Sequence, residues 1–442
     1  MATTLAQSPL GRNESGAELR ILVRGTNWLG DAVMTTPALL RLRERFPAAH
    51  IALLTPEKLA DLWVAHPAVD EIIRFGAGDG LVQVAAKLRL KALRQRLDVL
   101  RSPLEEPGRK PNETVTEAVV RQAGGLVRFY RDFLHLLVPS RNRRHFDVAL
   151  VLPNSARSAL EVFFAGIPIR IGYRRPWRNF FLTQTIRLRP GSVKMHKRST
   201  GEIRRLVAGP EGIEGLAGRT VPVAAHQTHE YLHLAAALGA GADPLPPQLF
   251  VTPQEVAAVR KKFGLDAVSG PILGLNPGAE YGPAKRWPPE RFAAVAREIQ
   301  QQTAGTWILF GGRNDQALTA QIQSALGRDS ATLNLAGQTT LRELMGLLKL
   351  CRVLLTNDTG PMHVAAALGT PVVVPFGSTS PELTGPGLPG DARHRLLKSN
   401  VPCAPCFLRQ CPIDFRCLQG LMVDRVVAAV RETLAEDITG GG

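Results

Sequence analysis

The chain has 442 residues, of which 45% are apolar and 6% aromatic, and its formal net charge at pH 7 is +16. This length predicts two or three domains with sizeable cores, and no apolar run is long enough to span a bilayer. A surplus of positive charge is typical of proteins that meet nucleic acid, anionic lipid or a phosphorylated substrate. Because no short nucleic-acid-binding motif occurs, we expect no nucleic acid partner.

The first half of the chain predicts a parallel α/β sheet. Residues 1–18 are small and polar, without the apolar core of a signal peptide, and predict a disordered leader. Strands are predicted at residues 20–24, 51–55, 70–74 and 147–152, and a helix at about residues 31–45 follows a turn bounded by Gly25 and Gly30. Strands and helices that alternate in this way are typical of a sheet with helices on both faces.

Residues 77–146 predict a basic helical insert in this first half. Residues 81–145 contain 14 Lys and Arg against 6 Asp and Glu. Two apolar stripes at helical spacing fit either of two interpretations. The stripes can pack on the sheet, or they can form a basic amphipathic surface that rests on anionic lipid.

The alternation of strands and helices begins again in the second half. Strands are predicted at residues 271–275, 306–310, 353–356 and 372–376, a helix at residues 290–301, and a loop rich in glycine and proline at residues 276–289. Glycines and prolines cluster over residues 240–270, where we expect the seam. The predicted domains are residues 19–242 and 243–442, and Gly440–Gly442 predicts a frayed tail.

The most informative segment is Asn357–Gly369, which follows the apolar run Cys351–Thr356. Pro361 near its beginning and Gly369 at its end predict a helix that directly follows a buried strand. The N-terminus of such a helix presents free N–H groups and the positive end of a dipole, so it can bind an anion such as a sugar phosphate. An ordinary turn, capped by Asp358 or Thr359, has the same pattern.

Four segments of the chain carry a resemblance to a known family. They are Asn27–Met34, Val151–Ser155 with the residues up to Tyr173, Asn276–Pro288 and Asn357–Gly369. In these segments the chain resembles the ADP-heptose:lipopolysaccharide heptosyltransferases, glycosyltransferase family 9, and the type II enzymes most. The resemblance implies the GT-B fold, an α/β architecture of two Rossmann-like domains with parallel sheets facing a central cleft.

The resemblance also implies a reaction. It is the inverting transfer of heptose from ADP-L-glycero-D-manno-heptose to the first heptose of the lipopolysaccharide inner core, without a cofactor. The absence of any Asp-x-Asp sequence agrees with catalysis that needs no metal. Type I or type III enzymes, which use other acceptors, remain alternatives.

Asp31 matches the catalytic base of this family. Its place at the start of a helix predicts a lowered pKa, so we expect its basicity to come from position. An N-cap role is the alternative. The implied donor-binding residues are Lys285, Asp358, Thr359, Gly360, His363, Gly278, Gly311 and Thr339. Lys285 suits a diphosphate, although Lys285 and Arg286 can also be a solvated pair. Asp315 is a weak candidate for the ribose.

The acceptor side is predicted in the first half. Asn154 and Ser155 follow a strand, and four arginines, among them Arg174 and Arg175, lie within nine residues. Guanidinium groups suit the carboxylates and phosphates of an inner-core sugar, although a solvated basic loop has the same sequence. The lipid A-Kdo-heptose acceptor implies an enzyme of the cytoplasm that works peripherally at the inner leaflet of the inner membrane.

Four of the five cysteines crowd into residues 403–417, namely Cys403, Cys406, Cys411 and Cys417. Reduced thiols, a facultative disulfide and a structural zinc or iron–sulfur site all fit this spacing. Cys351 predicts a buried small residue within a strand.

Two other classes of function deserve comparison with the heptosyltransferase prediction. An NAD-binding oxidoreductase lacks support, because the first turn has no Gly-x-Gly-x-x-Gly and no acidic residue at the ribose position. A lipid-binding protein without enzymatic activity would leave Asp31 and Lys285 without a role.

Overall fold

The structure is a computed structural model that describes residues 18–88, 146–209, 221–327 and 330–439. The predicted leader, except for Glu18, and the predicted tail lie outside the described residues. So does most of the predicted insert, including both of its apolar stripes. At the edge of this segment, residues 81–88 are helical.

The first half forms a parallel six-stranded sheet in the order β3-β2-β1-β4-β5-β6. Its strands are β1 (Arg20–Arg24), β2 (His50–Pro56), β3 (Glu71–Phe75), β4 (Val148–Val151), β5 (Ile169–Tyr173) and β6 (Gln184–Ile186). The central strand β1 pairs with β2 from Arg20 opposite His50 and with β4 from Ile21 opposite Val148. Strands β1, β2 and β4 are almost wholly buried because helices cover both faces of the sheet.

The helices of this half are α1 (Leu29–Met34), α2 (Thr36–Arg45), α3 (Glu57–Ala60), α4 (residues 81–88), α5 (Ala156–Phe164), α6 (Thr200–Ala208) and α7 (Thr228–Ala236). The single helix predicted at residues 31–45 is wrong, because it divides at Thr35. Pro37 has no N–H to donate to the Val33 carbonyl, and the Thr36 hydroxyl donates to it instead, at 2.9 Å.

The second half repeats the topology, with the strand order β12-β11-β10-β7-β8-β9. Its strands are β7 (Ile272–Asn276), β8 (Thr306–Leu309), β9 (Thr332–Asn334), β10 (Val353–Thr356), β11 (Val372–Phe376) and β12 (Arg395–Lys398). Its helices are α8 (Pro253–Lys262), α9 (Pro289–Thr303), α10 (Gln316–Leu326), α11 (Leu341–Leu350), α12 (Gly360–Ala367), α13 (Pro381–Thr384), α14 (Arg416–Gln419) and α15 (Val423–Thr439).

The predicted strands of both halves are confirmed to within one or two residues at each end. The assignment of Cys351 to a strand is wrong, because Cys351 ends α11 and its thiol donates to the Leu347 carbonyl at 3.2 Å. Cys351 is buried, as predicted.

The chain passes between the halves near residues 237–252. Helix α7 packs on α2 of the first half, whereas α8 packs on α11 of the second. Between them, the Gln248 N–H donates to the Thr36 hydroxyl at 3.0 Å and the Leu249 N–H donates to the Ala367 carbonyl at 3.0 Å. The domain boundary between residues 242 and 243 remains a prediction. Among the described residues, no helix is both long enough and apolar enough to cross a membrane.

Candidate active site

Each sheet has one point at which its strand order reverses. This switch point lies between β1 and β4 in the first sheet and between β7 and β10 in the second. Ligands of parallel α/β sheets bind outside the carboxyl ends of the strands at such a point. The residues predicted from sequence follow these four strands, since Asp31 comes after β1, Asn154 after β4, Gly278 after β7 and Asp358 after β10.

A buried ion pair fixes the loop between β1 and α1. The Arg24 Nε atom lies 2.7 Å from Glu161 Oε2, and both side chains are almost fully buried. The Arg24 Nη1 atom also donates to the Gly25 carbonyl and to Asn27 Oδ1, the latter at 3.0 Å. Arg24 therefore holds the loop that leads to Asp31, a role that sequence reasoning missed.

Asp31 is half-buried in the first turn of α1. Burial raises the pKa of its carboxyl group to about 6, and the nearby Lys285 ammonium acts in the opposite direction. The predicted lowering of this pKa is wrong, because the loss of solvation outweighs the effect of the helix N-terminus. A carboxylate with this pKa is suited to general base catalysis near neutral pH.

Two residues of the segment around α7, which sequence reasoning missed, complete the surroundings of Asp31. The Gln227 side-chain amide donates to Asp31 Oδ1 at 3.5 Å and to the Tyr231 hydroxyl at 2.8 Å. The Gln227 backbone N–H donates to the Leu383 carbonyl in the second half, at 2.9 Å. Gln227 therefore links the orientation of Asp31 to the contact between the halves.

Two glycines allow α1 and α12 to come into contact. A Cβ atom at Gly30 would lie 2.7 Å from the His363 ring, and a Cβ atom at Gly360 would lie 2.8 Å from Leu29 Cδ2. Side chains at either position would push the helices apart. The starts of the two helices, one from each half, therefore meet beside Asp31.

The cluster that faces Asp31 is centred on Lys285. The Lys285 Nζ atom lies 2.6 Å from Asp358 Oδ2, and both side chains are largely buried. The Thr379 hydroxyl donates to the same oxygen, and the ammonium group lies 4.9 Å from the centre of the Tyr281 ring. Thr379 was not predicted, although its position in a polar stretch after the buried strand β11 is typical of a site residue.

Buried side-chain amides hold the backbone around this cluster. The Asn357 Nδ2 group donates to the Pro277 carbonyl at 2.7 Å, and Asn357 Oδ1 accepts from the Trp287 N–H at 3.0 Å. The Asn276 Nδ2 group donates to the Thr356 hydroxyl at 3.1 Å. These bonds join the loops after β7 and β10, so Lys285 is carried on a fixed loop.

The start of α12 fits the predicted anion site. Thr359 is the N-cap residue, but its side chain makes no capping hydrogen bond within the described part of the chain, and Pro361 lies in the first turn. The interpretation as an ordinary capped turn therefore loses its main support. Burial lowers the pKa of His363 to about 4, so this side chain is a neutral imidazole at pH 7.

The remaining donor-binding candidates follow adjacent strands. Gly278, Gly311 and Thr339 come after β7, β8 and β9, which are neighbours in the sheet. A Cβ atom at Gly278 would lie 2.6 Å from the Asp315 carboxyl carbon, and Asp315 Oδ2 accepts from the Gly312 N–H at 3.0 Å. The Asp315 side chain thus lies against Gly278 and Gly312, which makes Asp315 a still weaker candidate for binding the ribose.

The acceptor candidates divide into structural and free groups. Ser155 caps α5, since its hydroxyl accepts from the Ser158 N–H at 3.2 Å. Arg170 donates to the Phe181 carbonyl at 2.7 Å, and the buried Arg178 donates to the Pro153 carbonyl at 2.8 Å and to Asn154 Oδ1 at 3.4 Å.

Arg174 and Arg175 differ from the other two arginines of this cluster. Arg174 is exposed and Arg175 is half-buried. They are the two members of the cluster still placed to meet an anion.

All five cysteines are free thiols. Cys403, Cys406, Cys411 and Cys417 line one small cavity. Among the described residues, however, no group of three or more His, Cys, Asp or Glu side chains is arranged to hold a metal ion.

Comparison with known proteins gives a consistent result. The sequence model of glycosyltransferase family 9 (heptosyltransferase) matches residues 218–415. The chain is 30% identical over 373 residues to lipopolysaccharide heptosyltransferase 2 of Escherichia coli, which covers 83% of this chain and 85% of that protein. The corresponding protein of Salmonella typhimurium is 29% identical over 370 residues, with the same coverage of both chains.

The solved structure of E. coli ADP-heptose LPS heptosyltransferase II is similar to the whole chain. The TM-score is 0.65 at 25% sequence identity, and the likeness covers 95% of this chain and 99% of that one. Together with the two parallel six-stranded sheets, this likeness confirms the predicted GT-B fold.

Proposed function

The chain belongs to the heptosyltransferases of glycosyltransferase family 9, and from this premise we propose that it is a type II enzyme. It transfers heptose from ADP-heptose to the first heptose of the lipopolysaccharide inner core. The names of the relatives above support the type II assignment over the type I and type III alternatives.

One observation carries the proposed chemistry. A half-buried carboxylate of the first half, Asp31, faces the Lys285–Asp358 pair of the second half where the two switch points meet. A displacement at an anomeric carbon needs a base on one side and stabilisation of a leaving group on the other. The two halves supply one each.

Asp31 acts as the general base. Its carboxylate takes the proton of the acceptor hydroxyl while that oxygen forms a bond to the anomeric carbon of the donor. The bond from this carbon to the β-phosphate oxygen breaks on the opposite face, and ADP leaves with the electron pair, so the configuration inverts. A pKa of about 6 leaves Asp31 ionised at neutral pH and basic enough to accept the proton.

Lys285 and the start of α12 bind the diphosphate. The ammonium group has three donors, so it can keep Asp358 and still reach a phosphate oxygen. The Gly360 N–H at the start of α12 donates to the same group, and neutral His363 adds a hydrogen bond. Because this set meets the negative charge of the leaving ADP, we expect turnover to persist in EDTA.

Further residues of both halves bind the two substrates. Gly278 lies beside the phosphates of the donor, and Gly311 and Thr339 lie under its adenosine end. Arg174 and Arg175 bind the acceptor, next to Asn154 and Ser155, which Arg178 and Ser158 hold in place. The acceptor is anchored in lipid, so the enzyme works in the cytoplasm at the inner leaflet of the inner membrane.

ADP release from ADP-heptose, measured with two acceptors in parallel, tests this function. We expect turnover with monoheptosylated Kdo2-lipid A and none with Kdo2-lipid A. Turnover on the acceptor without heptose would assign the chain to type I, and no release with either acceptor would contradict the proposed donor or acceptor.

A further inference from the structure

One segment of the first half concentrates positive charge. Between Glu161 and Glu202 the chain has no acidic residue and nine basic ones, which are Arg170, Arg174, Arg175, Arg178, Arg187, Arg189, Lys194, Lys197 and Arg198. Several of these side chains are exposed, among them Arg174, Arg187 and Lys194. A stretch of a single sign attracts a surface of the opposite sign over several ångströms.

The same segment concentrates exposed apolar side chains. Twelve large hydrophobic residues are exposed within the described ranges, and seven of them lie between Phe163 and Met195. Trp177 and Phe180 are the most open, with 83% and 84% of their surface exposed. Aromatic groups grouped in this way at a protein surface mark an interaction site.

The fold holds these aromatic groups outward. Trp177 has a φ of +64°, a left-handed conformation that a bulky residue rarely adopts. The turn around it is fixed on both sides, because the Arg175 N–H donates to Asn179 Oδ1 at 3.0 Å and the Arg178 guanidinium donates to the Pro153 carbonyl at 2.8 Å. Strain that the surroundings maintain is typical of functional segments.

Some of these aromatic groups are in direct contact. The Phe163 ring packs edge-on against Phe164 and against Phe181, in each case with ring centres 5.5 Å apart. Phe180 is the chain neighbour of Phe181, and the Arg170 guanidinium lies 5.3 Å from the centre of the Phe163 ring. Phe163, Phe164, Trp177 and Phe180 are called the aromatic strip below.

We propose that the aromatic strip, with the flanking Arg174 and Arg175, docks on the headgroup region of an anionic phospholipid bilayer. Tryptophan prefers the membrane–water interface because its ring is apolar and its N–H is polar, and guanidinium groups bind lipid phosphates. Each cation near an anionic bilayer strengthens binding roughly fivefold, so charge and aromatic insertion act together.

The position of Trp177 agrees with the proposed function, on which this inference rests for its purpose, whereas Phe163 and Phe164 lie toward the start of β5. The turn that holds Trp177 follows β5, at the same sheet edge as the loops after β1 and β4. Strands in a sheet lie about 4.8 Å apart, so this turn is roughly 10 Å from the end of β1, which leads to Asp31. A bilayer bound there would present a lipid-anchored sugar to the cleft.

Flotation with vesicles tests the docking directly. The full chain is mixed with vesicles of phosphatidylcholine alone or with added phosphatidylglycerol, and Trp177→Asn/Phe180→Ser is compared with Met422→Ser. Met422 is 60% exposed in the other half and is the matched control. We expect binding to the anionic vesicles alone, about tenfold weaker in the double variant and unchanged in the control. Equal binding by all three proteins, or equal binding to both vesicle types, would overturn the proposal.

A second readout separates this proposal from the proposed function. The double variant should keep wild-type turnover on acceptor in non-ionic detergent and lose turnover on acceptor embedded in anionic vesicles. If the wild type turns over neither acceptor, the proposed function fails while flotation still decides the docking. The double variant can instead float like the wild type but differ from it in the mass of the particle measured by sedimentation velocity. In that case the strip contacts a second copy of the chain, and the bilayer proposal is wrong.

Discussion

The two switch points share one topology, but the carboxylates beside them differ in their hydrogen-bond and ion-pair partners. Asp358, in the second half, is paired with the Lys285 ammonium and accepts from the Thr379 hydroxyl. Within the described ranges, the side chain of Asp31, in the first half, accepts a single long hydrogen bond, from Gln227 at 3.5 Å, and its pKa is raised to about 6. The carboxylate after β1 is thus nearly unpaired, whereas the carboxylate after β10 is firmly paired.

The structural charges of the two halves are also arranged differently. The first half places a buried ion pair, Arg24 with Glu161, beneath the loop and away from the base. The second half places its ion pair within the site and holds the backbone with the neutral side chains of Asn276 and Asn357. A base needs a carboxylate that is not neutralised, whereas a phosphate site needs a cation held in place.

The largest effect is expected from Asp31→Asn, which removes the base and retains its shape. Turnover should fall by about 10²–10⁴-fold, and ADP-heptose affinity, measured by calorimetry, should change little. Asp61→Asn is the control, since Asp61 is an exposed aspartate of the same half. Near-normal kcat in Asp31→Asn would remove Asp31 from the role of base.

Lys285→Met removes the cation of the second half. Turnover should fall by about 10²–10³-fold and the donor should bind more weakly, because the leaving diphosphate loses its ammonium partner. The Lys285 charge also lowers the pKa of Asp31.

The pH profile of Lys285→Met gives a second readout. In the wild type, kcat should fall as the pH drops below about 6, when Asp31 becomes protonated. In the variant, this acid limb should move to higher pH. Lys262→Met, at an exposed position, should leave the profile unchanged, and an unmoved limb in Lys285→Met would show that the two groups are not coupled.

Glu161→Gln tests the structural ion pair of the first half. Loss of one partner of a buried pair costs about 3 kcal/mol in the free energy of unfolding, because the Arg24 charge is left without compensation. Chemical denaturation measures this change. Glu44→Gln, at an exposed ion pair, should cost less than about 1 kcal/mol; equal costs for the two variants would contradict the assigned role.

Gln227→Leu should have the smallest effect. The Gln227 amide favours the ionised form of Asp31, so its loss should raise the pKa of Asp31 and move the acid limb of kcat to higher pH. The loss of turnover at neutral pH should be at most roughly tenfold. Gln302→Leu, on an exposed helix surface, is the control. A loss of kcat at every pH with no movement of the limb would assign Gln227 a purely structural role.

Much of the fold could be predicted from the pattern of the sequence. Central strands such as β1 and β10 are continuous apolar runs, because helices cover both of their faces, and their bounds were predicted correctly. The edge strands β6, β9 and β12 were missed, since they are short and half-exposed and carry no such run. Strand β5 was also missed, because Arg170 and Gly172 interrupt its apolar residues. The break in the first helix was missed because the apolar period of the sequence continues through Pro37.

The sequence by itself determined the two α/β halves, the fold family and the segments in which the site residues lie, since apolar runs, glycines and motifs are local properties of the chain. Only the tertiary structure decided how those residues pair. The raised pKa of Asp31 depends on burial beneath elements of both halves, and the partners of Lys285 and Arg24 are 73 and 137 residues away in the chain. Long-range contacts and burial fix these features, and no local pattern encodes them.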